Sequence, residues 1–144
     1  MDNFSVCYNQ TIMSETKNYK ILIIDDDRFL LDMYSLKFGE HSFAVETSQN
    51  GEEALEKLDG GYRADVYLID LLMPRLDGFQ LIKKMKEKGL EKDAALIILS
   101  NLGQKDDIDK GLELGVDGYI IKASATPSEV VEKTLDITKN KLKK

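Results

Sequence analysis

Asp65-Val66-Tyr67-Leu68-Ile69-Asp70-Leu71-Leu72-Met73-Pro74-Arg75-Leu76-Asp77-Gly78 is the stretch that decides the fold. An apolar run with β-favouring side chains (Val66, Tyr67, Ile69) ends abruptly on a carboxylate, Asp70. Pro74 fixes φ and removes a backbone donor, and Asp77-Gly78 is a second turn signal leading into a helical pattern. A buried strand ending on Asp70 puts that carboxylate at the rim of a sheet, where open α/β folds bind their ligands. An Asp after a strand is also a common turn former or helix cap. The residue alone does not decide between these readings.

Outward from it, the same pattern recurs. Lys20-Ile21-Leu22-Ile23-Ile24 is a continuous branched apolar run, the mark of a strand covered on both faces, and it ends in Asp25-Asp26-Asp27. Residues 28–40 place Leu30, Met33, Tyr34 and Phe38 at helical spacing, with Phe29, Leu31 and Leu36 off that stripe as secondary packing or a docking surface. Residues 42–47 read as a second strand. Asn50-Gly51-Glu52-Glu53 then gives an N-cap with Glu three residues on, opening a helix with Ala54, Leu55 and Leu58 that Gly60-Gly61 stops.

Beyond the central stretch, Phe79, Leu81, Ile82 and Met85 mark a third helix, ended by Gly89. Residues 94–99 form a fourth apolar strand that ends on Ser100-Asn101. Residues 104–114 carry Ile108, Leu112 and Leu114 among many charges, a thinly apolar helix stopped by Gly115. Residues 117–121 are a fifth short strand, ending on Lys122. Thr126-Pro127-Ser128-Glu129 combines a Thr cap, Pro at the first helical position and Glu at the third, and Val130, Val131, Leu135, Ile137 and Leu142 populate the last helix.

Five alternating strand–helix pairs with short loops predict an α/β fold: a doubly wound parallel sheet with helices on both faces. In such a sheet all strand carboxyl ends lie at one edge. With strand order 2-1-3-4-5, strands one and three flank the topological switch point, so Asp25, Asp26 and Asp70 converge on one small volume. Like charges that close raise pKa values or admit a cation. Hard oxygen ligands at a wet rim suit a divalent ion, with Mg²⁺ the natural candidate. Asp70 can then attack phosphorus to form an aspartyl phosphate. The metal and the Lys122 ammonium would neutralise the phosphoryl oxygens, to which the Ser100 hydroxyl could donate.

Composition narrows the class. A chain of 144 residues suits one domain, and 42% apolar with 32% charged residues describes an ordinary globular protein. The net charge of −6 disfavours direct nucleic-acid binding, and the lysines of residues 139–144 complement the end of a helix. One cysteine, Cys7, and one histidine, His41, make neither a disulfide nor a metal framework. Residues 1–18 are polar and aperiodic, expected to be a flexible N-terminal extension before a domain at 19–144, with Met13 resembling an ordinary protein start. No signal peptide and no apolar run of the ~20 residues a bilayer needs is visible, so a cytoplasmic location without membrane attachment is expected.

Over residues 19–140 the chain resembles the receiver domains of response regulators in two-component signalling. The motifs that carry the resemblance are Ile23-Ile24-Asp25-Asp26, the block from Asp70 to Gly78, Leu99-Ser100 and Tyr119-Ile120-Ile121-Lys122. It implies a flavodoxin-like (βα)5 fold with Asp70 as phosphoacceptor. It further implies Asp26, Asp70 and the Leu72 backbone carbonyl as Mg²⁺ ligands, with Asp25 acting largely through water. Ser100 and Lys122 would contact the phosphoryl group, and Tyr119 would be the aromatic that changes rotamer. Two positions depart from the pattern. Asn101 replaces a small residue after the switch hydroxyl, and Ala123 replaces the proline after the lysine, where energy alone predicts a trans peptide.

The resemblance implies a signalling protein rather than an enzyme. Its donor would be a histidine kinase or a histidine phosphotransfer protein, since the chain has no Gly-rich nucleotide loop. Its output would go to an unknown downstream protein, or to a homodimer favoured by phosphorylation, through helix four, strand five and helix five. Two other readings stand beside it. Asp25-x-Asp27 resembles the entrance motif of haloacid-dehalogenase-type phosphatases, although Phe29 stands where that motif has Thr or Val. The fold could also serve as an interaction module without phosphorylation.

Overall fold

The branched apolar runs form the sheet, and a computed structural model describes it across residues 18–142. The expectations for residues 1–17, Cys7 among them, and for the two final lysines lie outside the described residues. The strands are β1 (Lys20–Ile24), β2 (Ala44–Ser48), β3 (Val66–Ile69), β4 (Ala95–Ser100) and β5 (Gly118–Ile121). The helices are α1 (Arg28–Glu40), α2 (Gly51–Asp59), α3 (Gly78–Lys88), α4 (Lys105–Glu113) and α5 (Pro127–Leu142), with a 3-10 turn at Lys122–Ser124. All four strand pairings are parallel and the order is β2-β1-β3-β4-β5, as the alternation predicts.

Side-chain alternation along each strand divides the core in two. Ile21, Ile23, Leu68, Ile97 and Leu99 pack with Leu31, Tyr34 and Phe38 of α1 and Val130 and Val131 of α5. Leu22, Ile24, Tyr67, Ile69, Leu96 and Ile98 pack with Ala54 and Leu58 of α2 and Leu81, Ile82 and Met85 of α3. The runs look continuously apolar because both faces are covered.

Helix starts follow the capping chemistry. Asn50 Oδ1 accepts the Glu53 N–H at 2.7 Å, and Asp77 forms a reciprocal capping box with Gln80. Thr126 and Glu129 exchange bonds of 2.8 and 3.1 Å at the start of α5.

Several details differ from the pattern reading. Leu31 is core, at 2% exposure, because Asp27 caps α1 and sets a buried stripe of positions 31, 34 and 38. β2 begins at Ala44, since Ser42 is still in the turn after α1 with φ 70°. β4 extends through Ser100, which pairs in register with Ile121. On α4, Leu112 is exposed and only Gly111 is buried, so this helix is anchored even more thinly than its sequence implies. On α5 the hydroxyl residues Thr134 and Thr138 are buried with the valines, while Leu135 and Ile137 pack at the edge. Thr138 spends its hydroxyl on the Thr134 carbonyl at 2.7 Å, which lets a polar side chain sit in the core.

The revised stripe on α1 makes a quantitative contrast. Leu31→Ala should cost about 2–5 kcal/mol in urea unfolding, as deletion of a buried leucine does. Leu36→Ala, at a position 68% exposed, should stay within about 0.5 kcal/mol. Equal costs would show that the α1 stripe is misassigned.

Candidate functional site

β1 and β3 are neighbours, and the Asp70 N–H donates to the Ile24 carbonyl at 2.9 Å, which sets the two strand ends side by side. The Asp25 N–H donates to Ser48 O at 3.1 Å, tying the same edge to β2. Helix capping does not consume the acidic pair. Asp27 caps α1 through its Oδ1, which accepts the Leu30 N–H at 3.2 Å. Asp25 Oδ1 in turn accepts the Asp27 N–H at 2.9 Å, which leaves Asp26 exposed at the rim.

The backbone after Asp70 is compressed. The Gly78 N–H closes the loop onto Leu71 O at 3.0 Å, and a Cβ on Gly78 would stand 2.4 Å from Asp70 O. Glycine is required there for close approach. The Asp-Gly pair read as a turn signal therefore also sets the path of the chain leaving Asp70.

Asp25, Asp26 and Asp70 each offer a carboxylate oxygen, all within 4.8 Å of one another. Lys122, at the end of β5, reaches into the cluster: its Nζ lies 2.8 Å from Asp25 Oδ2 and 3.6 Å from Asp70 Oδ2. Burial pushes the Asp70 carboxyl up to about 6; Lys122 opposes this, while Asp25 and Asp26 reinforce it. Burial alone would lower the Lys122 ammonium, but the Asp25 hydrogen bond and the charge of Asp70 hold it above its ordinary value. A cluster of two buried carboxylates and one exposed one with a single ammonium is under-neutralised, and an all-oxygen donor set at this spacing fits a hard divalent cation.

Ser100 is fully buried, and its Oγ accepts the Leu102 N–H at 3.3 Å. The Tyr119 hydroxyl donates to the carbonyl of the same residue, Leu102. The predicted switch pair is thus joined through the backbone of one residue, a role for Leu102 that nothing in its sequence context signals. The Lys122–Ala123 peptide is trans, as expected. Asn101 is exposed beside Ser100, and Leu72 is exposed two residues after Asp70.

Tyr34 was expected only as packing. It is buried, and burial raises its hydroxyl pKa; the Lys122 charge lowers it while Asp25 and Asp70 raise it further. Its hydroxyl is therefore within electrostatic reach of the cluster. A phenol hydroxyl on a stripe with no other polar group was the available signal.

A family model described as the response regulator receiver domain matches residues 21–134. The chain is 33% identical over 120 residues to the transcriptional regulatory protein ResD of Bacillus subtilis, covering 83% of this chain and 48% of that one. It is 35% identical over 103 residues to a CpxR homolog of Haemophilus influenzae, covering 72% and 43%. The chain thus spans less than half the length of these curated relatives. Among solved structures, the receiver domain of Francisella response regulator 1452 superposes with a TM-score of 0.77 at 30% identity, over 85% of this chain and 98% of that one. Chemotaxis protein CheY4 of Vibrio cholerae gives 0.77 at 25% identity, over 84% and 99%. Among the described residues, no helix is long and apolar enough to cross a membrane.

The raised Asp70 pKa has a defined consequence for metal-free stability. Between the ordinary value of 3.8 and about 6, the native state binds more proton than the unfolded chain, so stability falls as pH rises through that window. The loss amounts to about 3 kcal/mol once both values are passed. Asp70→Asn should therefore gain stability relative to the parent from pH 4 to 7 and run parallel above, in urea melts with chelator. A difference independent of pH would contradict the buried, destabilised carboxylate.

Proposed function

The chain belongs to the response-regulator receiver family, and from that membership we propose that residues 19–144 form a phosphoacceptor module in which Asp70 takes a phosphoryl group from a phosphohistidine donor. The observation that carries this reading is the convergence of Asp25, Asp26 and Asp70 with Lys122 at one sheet edge. In the transfer, an Asp70 carboxylate oxygen forms the O–P bond as the N–P bond breaks, and the electron pair stays on the donor imidazole. Lys122, already between Asp25 and Asp70, is placed to neutralise phosphoryl oxygens. Its pairing with Asp25 keeps the ammonium over the site rather than in solvent.

Asp26, Asp70 and the Leu72 carbonyl would hold Mg²⁺, with Asp25 acting largely through water. When bound, the ion supplies charge neutralisation between the attacking carboxylate and the phosphoryl oxygens. The donor is a histidine kinase or a phosphotransfer protein, and the cytoplasm is the compartment in which the module would meet either.

The phosphatase reading loses support on two counts. Asp27, the second carboxylate of that motif, is spent on the α1 cap, and the relatives reported above are response regulators. The module acts as a signalling protein, with self-catalysed transfer and hydrolysis its only chemistry. Acetyl phosphate with Mg²⁺ should add one phosphoryl group, seen by mass spectrometry, and Asp70→Asn should abolish it. Incorporation that survives Asp70→Asn would place the acceptor elsewhere.

The output follows from the Leu102 bridge. Drawing the Ser100 hydroxyl towards a phosphoryl group would release the Leu102 N–H, and Tyr119 holds the carbonyl of that same residue. The two side chains should therefore move together as a two-state element. α4 is the least anchored helix beside it, so α4, β5 and α5 form the surface offered to a downstream protein or a second copy. Beryllofluoride with Mg²⁺ should shift amide resonances across residues 101–125. Shifts confined to the strand ends would remove the switch and leave the phosphoacceptor assignment standing.

A further inference from the structure

The loop of residues 71–77 leaves the acidic site towards α2, and two contacts fasten it there. Leu76 lies directly over Gly51, the first residue of α2. A Cβ on Gly51 would stand 2.8 Å from Leu76 Cδ2, 3.1 Å from Leu76 Cγ and 3.0 Å from Leu76 O. Beside it, Arg75 Nε donates to both carboxylate oxygens of Glu52, at 3.0 and 3.1 Å. Arg75 has φ 68°, a left-handed geometry that non-glycine residues keep only where the surroundings over-determine it.

Gly51 is not needed for backbone freedom, because it lies outside the positive-φ glycines and begins a helix. Alanine is the better helix former, by up to about 1 kcal/mol in a helix interior. What glycine supplies here is the missing Cβ, and the space is filled by Leu76. The platform itself is fixed: Asn50 caps α2, and Glu53 Oε1 accepts the Gln49 N–H at 2.6 Å. At its other end the loop is pinned by Gly78 against Asp70 and Leu71. The chain between Asp70 and Gly78 is therefore clamped at both ends, with Leu72 inside the clamp.

We propose that the start of α2, through Gly51 and Glu52, positions the 71–77 loop so that it can complete the cation site, making these two residues determinants of metal affinity. The inference rests on the Mg²⁺ reading of the acidic cluster. Neither residue is a ligand; both act through the loop. The Leu76 contact is the main tether, since the Arg75 and Glu52 side chains are 61% and 52% exposed and such pairs are weak.

Mg²⁺ titration by calorimetry on the full chain, beside urea unfolding of the metal-free protein, separates positioning from plain stability. Gly51→Ala should raise the Mg²⁺ Kd roughly tenfold, as changes behind a ligand shell do. Glu52→Gln should raise it about threefold, the scale of an exposed ion pair. Leu76→Ala alone, which removes the tethering side chain from Gly51, should raise the Kd in the same direction. A folded Gly51→Ala protein with unchanged Kd overturns the inference and leaves the metal reading intact. Should Gly51→Ala fail to fold, Glu52→Gln and Arg75→Ala decide, and unchanged affinity in both overturns it. Absence of Mg²⁺ binding in the parent chain, matched by Asp26→Ala, is the distinct result that removes the underlying site.

Discussion

Mutual repulsion of carboxylates at the ends of β1 and β3 is the constraint on which the rest of the structure turns. Two buried acids and one exposed one cannot share so small a volume in a low-dielectric rim without compensation. Lys122 supplies one positive charge to Asp25, from a strand three places away in the sheet order. That contact ties β5 to β1 across the edge, so the charge balance of the site is also a long-range tether of the fold. One ammonium against three carboxyl groups still leaves an excess of negative charge. Burial is the main reason the Asp70 carboxyl is raised, and the charges of Asp25 and Asp26 add to it against the opposing charge of Lys122.

The fold was legible because apolar runs, caps and glycines agreed with one another. Each strand ends on or just before a polar residue, every helix but α4 begins with a side-chain cap or capping box, and both faces of the sheet required cover. Pattern reading fell short where tertiary packing chose among equivalent apolar positions. Leu31 rather than Leu30 entered the core because the cap at Asp27 fixed the rotation of α1. Thr138 was overlooked because a hydroxyl reads as surface until its partner, here the Thr134 carbonyl, is seen; the Thr134 hydroxyl is buried without a hydrogen-bond partner. The strand-end residues of the site were legible for a related reason: topology alone brings them to one edge, whatever their side chains do. Leu102 and Gly51 were not. One acts through its backbone and the other through an absent Cβ, and neither leaves a mark in residue chemistry.

Exposed apolar residues gain meaning from this geometry. Phe29, Leu36, Leu72 and Leu112 are the large hydrophobic side chains most open to solvent among the described residues. Single exposed leucines are ordinary. Phe29, however, follows directly on the capped start of α1, and Leu72 follows Asp70 by two residues, so the charged pocket has apolar neighbours on its rim. A phosphoryl donor must bring a charged group into a site of opposing charge. Apolar contact on the rim would supply non-directional attraction where the electrostatics alone are unfavourable.

The two sides of the pocket differ in how firmly they are held. On the α2 side, Leu76 against Gly51, Glu52 with Arg75, and Gly78 against Asp70 clamp the loop at several points. On the α4 side, a single residue, Leu102, links Ser100 to Tyr119, and the adjoining helix buries only a glycine. A Cβ on that glycine, Gly111, would come within 3.0 Å of Ile98 and 3.3 Å of the Tyr119 ring, so the helix rests on the ring it would have to release. A perturbation at Asp70 meets a stiff wall in one direction and a soft one in the other. Packed elements respond by moving between discrete arrangements, and the less stable element moves first. In the proposed switch, a signal would run away from α2 and into α4 and β5, where the packing is thin.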